Sequence, residues 1–205
     1  MKTVRWSLIL LLLLGCIILG CAGGKTYFLL LRYQPAKQFP SLQQQMGQTL
    51  ALAPLKDQRP DTLYVGLHSP LTGNFLYFKS DPSPLEKAVT ESLTPVLSSH
   101  GIKVVSVPSW DGKPDSLKNV DADSVLMIEI KALWTEGKAS LLGTKVRSTV
   151  RFVFHLGVKK EGKVFTRNVD LEREMTVASF TQEKAEQMLN QMLGDVFDSY
   201  LSNPY

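Results

Sequence analysis

The fold is decided by the stretch Val146-Arg147-Ser148-Thr149-Val150-Arg151-Phe152-Val153-Phe154-His155-Leu156-Gly157-Val158. Val146, Val150, Phe152, Phe154, Leu156 and Val158 fall on one side of an extended chain. Arg147, Thr149, Arg151 and His155 fall on the other, joined by Val153. Lys159-Lys160-Glu161-Gly162 reads as a turn. Beyond it, Phe165, Val169, Leu171, Met175 and Val177 alternate with Thr166, Asn168, Asp170, Glu172 and Glu174. A period of two over both arms predicts a long antiparallel hairpin with one buried and one wet face. Arg147 and Arg151 are placed to meet Glu172 or Glu174 across it, contributing a few tenths of a kcal/mol per pair.

Upstream of the hairpin, residues 123–134 hold a near-continuous apolar run with Val125, Leu126, Met127, Ile128 and Ile130, which suits a central strand. Residues 102–107 read as another strand. Before them, Leu85, Ala88, Val89, Leu93, Val96 and Leu97 recur at helical spacing. Ser83, Pro84 and Glu86 form the pattern of a capping box with Pro at the first helical position. Gly101 after His100 supplies the stop, and Pro95 is expected to kink or split the helix. Leu50, Leu52 and Leu55 with Ala51 and Ala53 look like a buried strand, followed by a polar turn at residues 56–61 and short strands at 63–67 and 75–78. After the hairpin, Ala185, Met188, Leu189, Met192, Leu193, Val196, Phe197, Tyr200 and Leu201 make an apolar helical stripe that reads as core, with Thr181 as N-cap. Glu186, Gln187, Asn190, Gln191, Asp195 and Asp198 lie on its opposite face. The expected fold class is α+β, a single mainly antiparallel sheet with two main helices packed on one face.

The chain has 205 residues, 44% hydrophobic and 20% charged, enough for one domain with a core. The net charge of +4 is unevenly placed. No Asp or Glu precedes Asp57, while Lys25, Arg32, Lys37 and Lys56 lie between Cys21 and that point. From Asp57 onward 17 basic residues face 19 acidic ones, so the positive balance does not signal nucleic acid. The basic stretch is either ordinary solvated linker or an aid to contact with anionic lipid. Cys16 and Cys21 are the only cysteines, which excludes a disulfide, a thiol nucleophile and a Cys-based metal site from the rest of the chain.

The N-terminus reads as a secretory signal. Lys2 and Arg5 precede an apolar run from Leu8 to Leu19, shorter than the roughly 20 residues a membrane span needs. It ends in Ile18-Leu19-Gly20-Cys21, which resembles the lipobox of bacterial lipoproteins. The resemblance implies cleavage before Cys21 and its lipidation with diacylglycerol and palmitate. Leu13-Leu14-Gly15-Cys16 offers a second frame with a shorter apolar region, and Cys21 is preferred. The expected organisation is a lipoprotein signal peptide over 1–20, a lipid-anchored basic linker over 21–48, and an α+β domain over 49–205. Within the linker, Tyr27-Phe28-Leu29-Leu30-Leu31 is too apolar for a free tether and is read as a docked strand or a segment resting on a partner or membrane.

No motif for chemistry stands out. His68, His100 and His155 share no metal-ligand spacing, and nucleophile-elbow, phosphate-loop and dinucleotide fingerprints are missing from the sequence. Asp121 and Asp123 form a carboxylate pair, equally suited to a turn. Two places are candidate partner contacts. Lys56, Asp57 and Arg59 lie in the first polar turn, where an Asp57–Arg59 contact is the alternative. Trp110 sits in a Gly/Pro loop, where it either anchors a partner or folds back on the core.

The lipobox, the Lys56-Asp57-Gln58-Arg59-Pro60-Asp61 turn, the helix ending His100-Gly101, the strand at 122–134, the hairpin and a last helix ending Leu201-Ser202-Asn203-Pro204 together resemble the YajG family of bacterial lipoproteins. That resemblance implies an outer-membrane lipoprotein with a compact α+β domain and no enzyme activity. The leading expectation is a non-catalytic envelope lipoprotein without cofactor that faces the periplasm and meets a protein or cell-wall partner. Ala22, where Asp resembles an inner-membrane retention signal, favours the outer membrane. The Tyr27-Phe28-Leu29-Leu30 start is similar to that of auxiliary lipoproteins of MCE-type lipid transporters, which implies a lipid-transport accessory instead. An acyl-sized apolar groove would favour that alternative, and a filled core with a polar rim would favour the partner-binding protein.

Overall fold

A computed structural model describes residues 24–81 and 83–205. Cys16 and Cys21 lie outside the described residues, as do the signal peptide and the lipid attachment expected there. Strands β7 (Ser124–Ser140), β8 (Gly143–Val158) and β9 (Lys163–Val177) form the antiparallel meander expected from the alternation. Val146, Val150, Phe152, Phe154, Leu156 and Val158 are all buried. On the wet face Arg147 pairs with Glu172, while Arg151 finds Asp170 at 3.3 Å and Lys145 takes Glu174 at 2.7 Å.

The mainly antiparallel sheet expected from the sequence is corrected, among the described residues, to a nine-stranded mixed sheet. The other strands are β1 (Lys25–Leu30), β2 (Thr49–Leu52), β3 (Lys56–Asp57), β4 (Gly66–Ser69), β5 (Leu76–Asp81) and β6 (Lys103–Ser106). Five of the eight pairings are parallel: β1 with β5, β2 with β6, and β7 with β2, β3 and β4 in turn. The physical reason lies in the short strands. Leu50, Ala51 and Leu52 are buried without alternation because both faces of β2 are covered, and such strands are the parallel kind. The long hairpin alone carries the visible period of two.

Among the described residues three α-helices complete the fold: α1 (Leu42–Met46), α2 (Leu85–Ser99) and α3 (Gln182–Ser202). Helix α2 starts from Pro84 and has no side-chain cap, so the expected capping box does not form. It runs through Pro95 without splitting. It ends as expected, with Gly101 at φ +77° and Ile102 donating to the Leu97 carbonyl. Thr181 caps α3 by accepting from the Lys184 amide at 3.3 Å. The α3 stripe packs into the main core, where Tyr200 stacks on Phe154 with centroids 3.9 Å apart and Phe197 sits edge-on to Phe152 and Phe154.

The folded body begins at β1, twenty-odd residues before the expected boundary at 49. Leu29, Leu31, Tyr33, Phe39, Leu42 and Met46 from the expected linker are buried in the main core. The outer edge of β1 is tied to α3 by residues four apart on that helix. Gln182 donates to the Phe28 carbonyl, Glu186 accepts from the Leu30 amide, and Asn190 both donates to Leu30 and accepts from Arg32, all within 2.8–2.9 Å. Further along, Asp198 accepts from the Tyr33 hydroxyl at 2.7 Å and the Ala36 amide at 3.1 Å. The helix face read as solvent-facing therefore closes the sheet edge, satisfying backbone groups that an open edge strand leaves unpaired.

His68 on β4 is buried edge-on against Phe180, with ring centroids 5.5 Å apart, and its ring nitrogens have no hydrogen-bond partner among the described residues. Burial lowers its pKa from the ordinary 6.5. The folded state therefore resists a proton that the unfolded chain accepts, so this contribution to stability is present above that value and lost as pH falls below it, at up to about 1.4 kcal/mol per pH unit. Comparing urea midpoints at pH 7.5 and 5.5 should show a smaller acid loss for His68→Phe than for the native chain. Some loss should persist, because burial lowers His155 too. An unchanged difference would refute the role given to His68.

Candidate contact face

One edge of β7 is covered piecewise. Lys56 and Asp57 pair with Glu129 and Ile130, and β4 resumes at Gly66 opposite Thr135. Between these points β7 carries an irregularity at Lys131, and residues 59–64 loop away between the Gln58 amide, which donates to Ile130, and the Val65 carbonyl, which accepts from Thr135. Arg59 fills the gap. Its guanidinium donates to the carbonyls of Tyr64 at 2.8 Å, Thr62 at 3.1 Å and Leu133 at 3.2 Å. Asp57 accepts two of its N–H groups, at 2.9 Å from Nε and 2.7 Å from Nη2. The planar donor fork of Arg suits both the carboxylate and the stranded carbonyls. Asp61 closes the loop by accepting from the Leu63 and Tyr64 amides.

This geometry relocates the candidate contacts. Arg59 is only 6% exposed and Asp57 is its buried partner, so the pair holds the turn instead of meeting a partner. Trp110 is 7% exposed. It folds back on a second small core with Leu117, Val125 and Met127, and its indole N–H donates to Ser116 Oγ at 2.8 Å. Gly157 makes room for that approach, since a Cβ there would lie 2.3 Å from Leu117 Cδ2 and 3.0 Å from Trp110. The break in the β8 alternation at Gly157 was the available sequence signal. Asp123 anchors β2, accepting from the Gln48 and Thr49 amides and the Thr49 hydroxyl; the Thr49 hydrogen bonds hold its pKa below the ordinary carboxylate value. Of the four candidate contacts, only Lys56 keeps an accessible side chain.

Around Lys56 the side chains converge on Glu129. Its carboxylate lies 2.7 Å from Lys131 Nζ, 4.0 Å from Lys56 Nζ and 3.9 Å from His155 Nε2. The Lys131 hydrogen bond holds Glu129 below its ordinary pKa, and burial lowers His155, whose Nδ1 is 2.9 Å from Thr166 Oγ1. Beside this cluster, Arg59, Pro60, Asp61, Lys131, Leu133 and Trp134 line a shallow hollow of about 250 Å³. The sequence did not single out Glu129, Lys131 or Trp134. They sit inside or beside the apolar run, and the irregularity at Lys131, which shifts the residues beyond it, is invisible to a pattern of period two. Among the described residues no group of three His, Cys, Asp or Glu is arranged to hold a metal ion, and no helix is long and apolar enough to cross a membrane.

Comparison with solved structures identifies the fold. The chain is similar to protein XCC0632 from Xanthomonas campestris, of the DUF330 family, with a TM-score of 0.56 at 14% identity over 87% of this chain and 93% of that one. Weaker likenesses are the hypothetical protein CT253 from Chlamydia trachomatis (TM-score 0.45, 14% identity, 75% and 96% covered) and lipoprotein GNA1162 from Neisseria meningitidis (0.40, 12%, 73% and 98%). No family model matches the chain, and neither does any curated protein.

Proposed function

We propose that this chain is a non-catalytic, lipid-anchored lipoprotein of the bacterial cell envelope, held at the periplasmic face of the outer membrane through Cys21, as the YajG-like sequence pattern implies. It binds a protein or cell-wall partner through the sheet face around Lys56, Glu129, Lys131 and Trp134. The observation that carries the reading is that face itself. The accessible Lys56 and Lys131 side chains flank the half-covered Glu129 beside a shallow hollow, while the space between helices and sheet is filled by Phe152, Phe154, Phe197 and Tyr200. Such a surface suits contact with a polar partner better than enclosure of a substrate.

Cys21→Ser should abolish labelling by a palmitate probe and move the protein to the soluble fraction. Continued labelling at another site would sink the anchor assignment. In cells, photocrosslinkers at Lys56 and Lys131 should trap one common partner while one at the buried Trp110 should not; equal yields at all three would refute this face.

One observation favours a second reading, the lipid-transport accessory. The Tyr27–Leu30 stretch belongs to the sheet, and behind it a surface hollow of about 450 Å³ opens between residues 30–35 and α2, lined by Leu30, Leu31, Tyr33, Ala88, Pro95 and Val96 among others. Phospholipid co-purifying with the protein and displaced by Ala88→Trp would select this reading.

A further inference from the structure

The end of the sheet nearest the start of the described chain carries apolar side chains that the fold does not use. Hairpin β7–β8 turns through Ser140-Leu141-Leu142-Gly143, and the two leucines are 90% and 96% exposed. The turn does not require them. Two-residue hairpin loops favour Asn-Gly or Gly-containing pairs, and no non-glycine residue described here has a positive φ. Ser140 and Gly143 hold the turn: the Ser140 hydroxyl donates to the Gly143 carbonyl at 2.8 Å, and Gly143 adopts φ +131°. Burying two leucines is favourable, and leaving both in water forgoes that stabilisation.

Strand register sets their neighbours. Lys25 pairs with Leu76, Leu76 with His68, and His68 with Gly137, so these four residues form one row across the sheet. Leu141 lies four residues beyond that row, roughly 13 Å at the rise of a strand. The β4–β5 loop leaves the same end and exposes Leu71 and Phe75. Cys21 lies four residues before Lys25, and four residues span at most about 14 Å. That length is enough for the chain to reach from Lys25 to the level of the hairpin tip. Lys25 adds a cation at this edge, while Lys138 and Lys145 are paired with Glu136 and Glu174, so the tip itself is close to neutral.

We propose that Leu141 and Leu142, flanked by Leu71 and Phe75, insert into the lipid surface that holds the chain, giving the domain a second membrane contact and a fixed orientation. The inference rests on the anchored reading of Cys21. One acyl-scale attachment leaves a domain free to pivot, and a second apolar contact removes that freedom. The rest of the β7–β9 meander then projects away from the bilayer, and Lys56, Glu129 and Lys131 face sideways into the periplasm.

The test joins the Cys21 thiol of the mature chain to a maleimide lipid in vesicles of phosphatidylethanolamine and phosphatidylglycerol. Attachment is thereby independent of whether cells acylate Cys21, which is read separately by mass spectrometry of the native protein. An environment-sensitive fluorescent amino acid is placed at position 141, at position 75, or at position 160 in the turn at the far end of β8. On vesicles the emission at 141 should shift to the blue and be quenched by lipids spin-labelled in their acyl chains, with a smaller effect at 75 and none at 160. Replacing Leu142 with Asp should abolish the shift at 141 without changing the thermal transition. Emission at 141 as in water, while the protein is vesicle-bound, would overturn the proposal. So would a blue shift already present in solution and dependent on protein concentration, which would assign the tip to a second copy of the chain.

Discussion

A chain that begins at Thr49 is expected not to fold. It lacks β1 and α1, and with them six side chains of the main core: Leu29, Leu31, Tyr33, Phe39, Leu42 and Met46. At about 1.5–3 kcal/mol for each buried apolar side chain, the loss is on the order of 10 kcal/mol. That compares with about 5–15 kcal/mol for the whole stability of a domain. The cut also exposes the β5 edge and leaves Asp198 without Tyr33 and Ala36. Circular dichroism and dye binding should show a collapsed or aggregated chain. A chain beginning at Gly24 should melt cooperatively. A cooperative transition for the shorter chain would show that residues 25–46 are an accessory layer.

Arg59→Ala should be the most damaging single substitution outside the apolar core. Both members of the Asp57–Arg59 pair are buried, and removing one partner of such a pair typically costs about 3–5 kcal/mol because the other charge is stranded. Three loop and strand carbonyls lose their donor at the same time. Arg59→Lys should rescue little, since an ammonium cannot reproduce the fork. Replacing both partners, Asp57→Leu with Arg59→Met, should cost less than Arg59→Ala alone. The measurement is the shift in urea midpoint for the three variants. A double variant no better than Arg59→Ala would mean that the carbonyl contacts, not the stranded carboxylate, dominate.

How much of this was legible in the sequence follows from the range of the interactions. The β8–β9 alternation, the α3 stripe and the Thr181 cap depend on residues a few positions apart, and each appears in the structure. The parallel order of β2, β3 and β4 along β7 depends on partners some 70 residues away, which periodicity does not report. The contact face was half legible. Asp57-x-Arg59 was visible as a local pair, but its burial comes from the carbonyls of the loop and of Leu133. Trp110 offered an exposed or a buried reading, and Gly157, 47 positions downstream, decides between them. The helix face of Glu186 and Asn190 looked solvated because its polar partners are backbone atoms of β1.

That clasp between β1 and α3 has a mechanical side. A pull on residue 24 directed away from the body runs along β1, parallel to the strand it pairs with over six residues. Force applied in that direction loads the β1–β5 hydrogen bonds together, in shear, instead of unzipping them one at a time. Gln182, Glu186 and Asn190 share the load on the other side of the strand and pass it to a 21-residue helix buried along the core. Traction on residue 24 is thus borne by the whole sheet-and-helix body, and the first strand of the described chain is a hard place for the protein to yield.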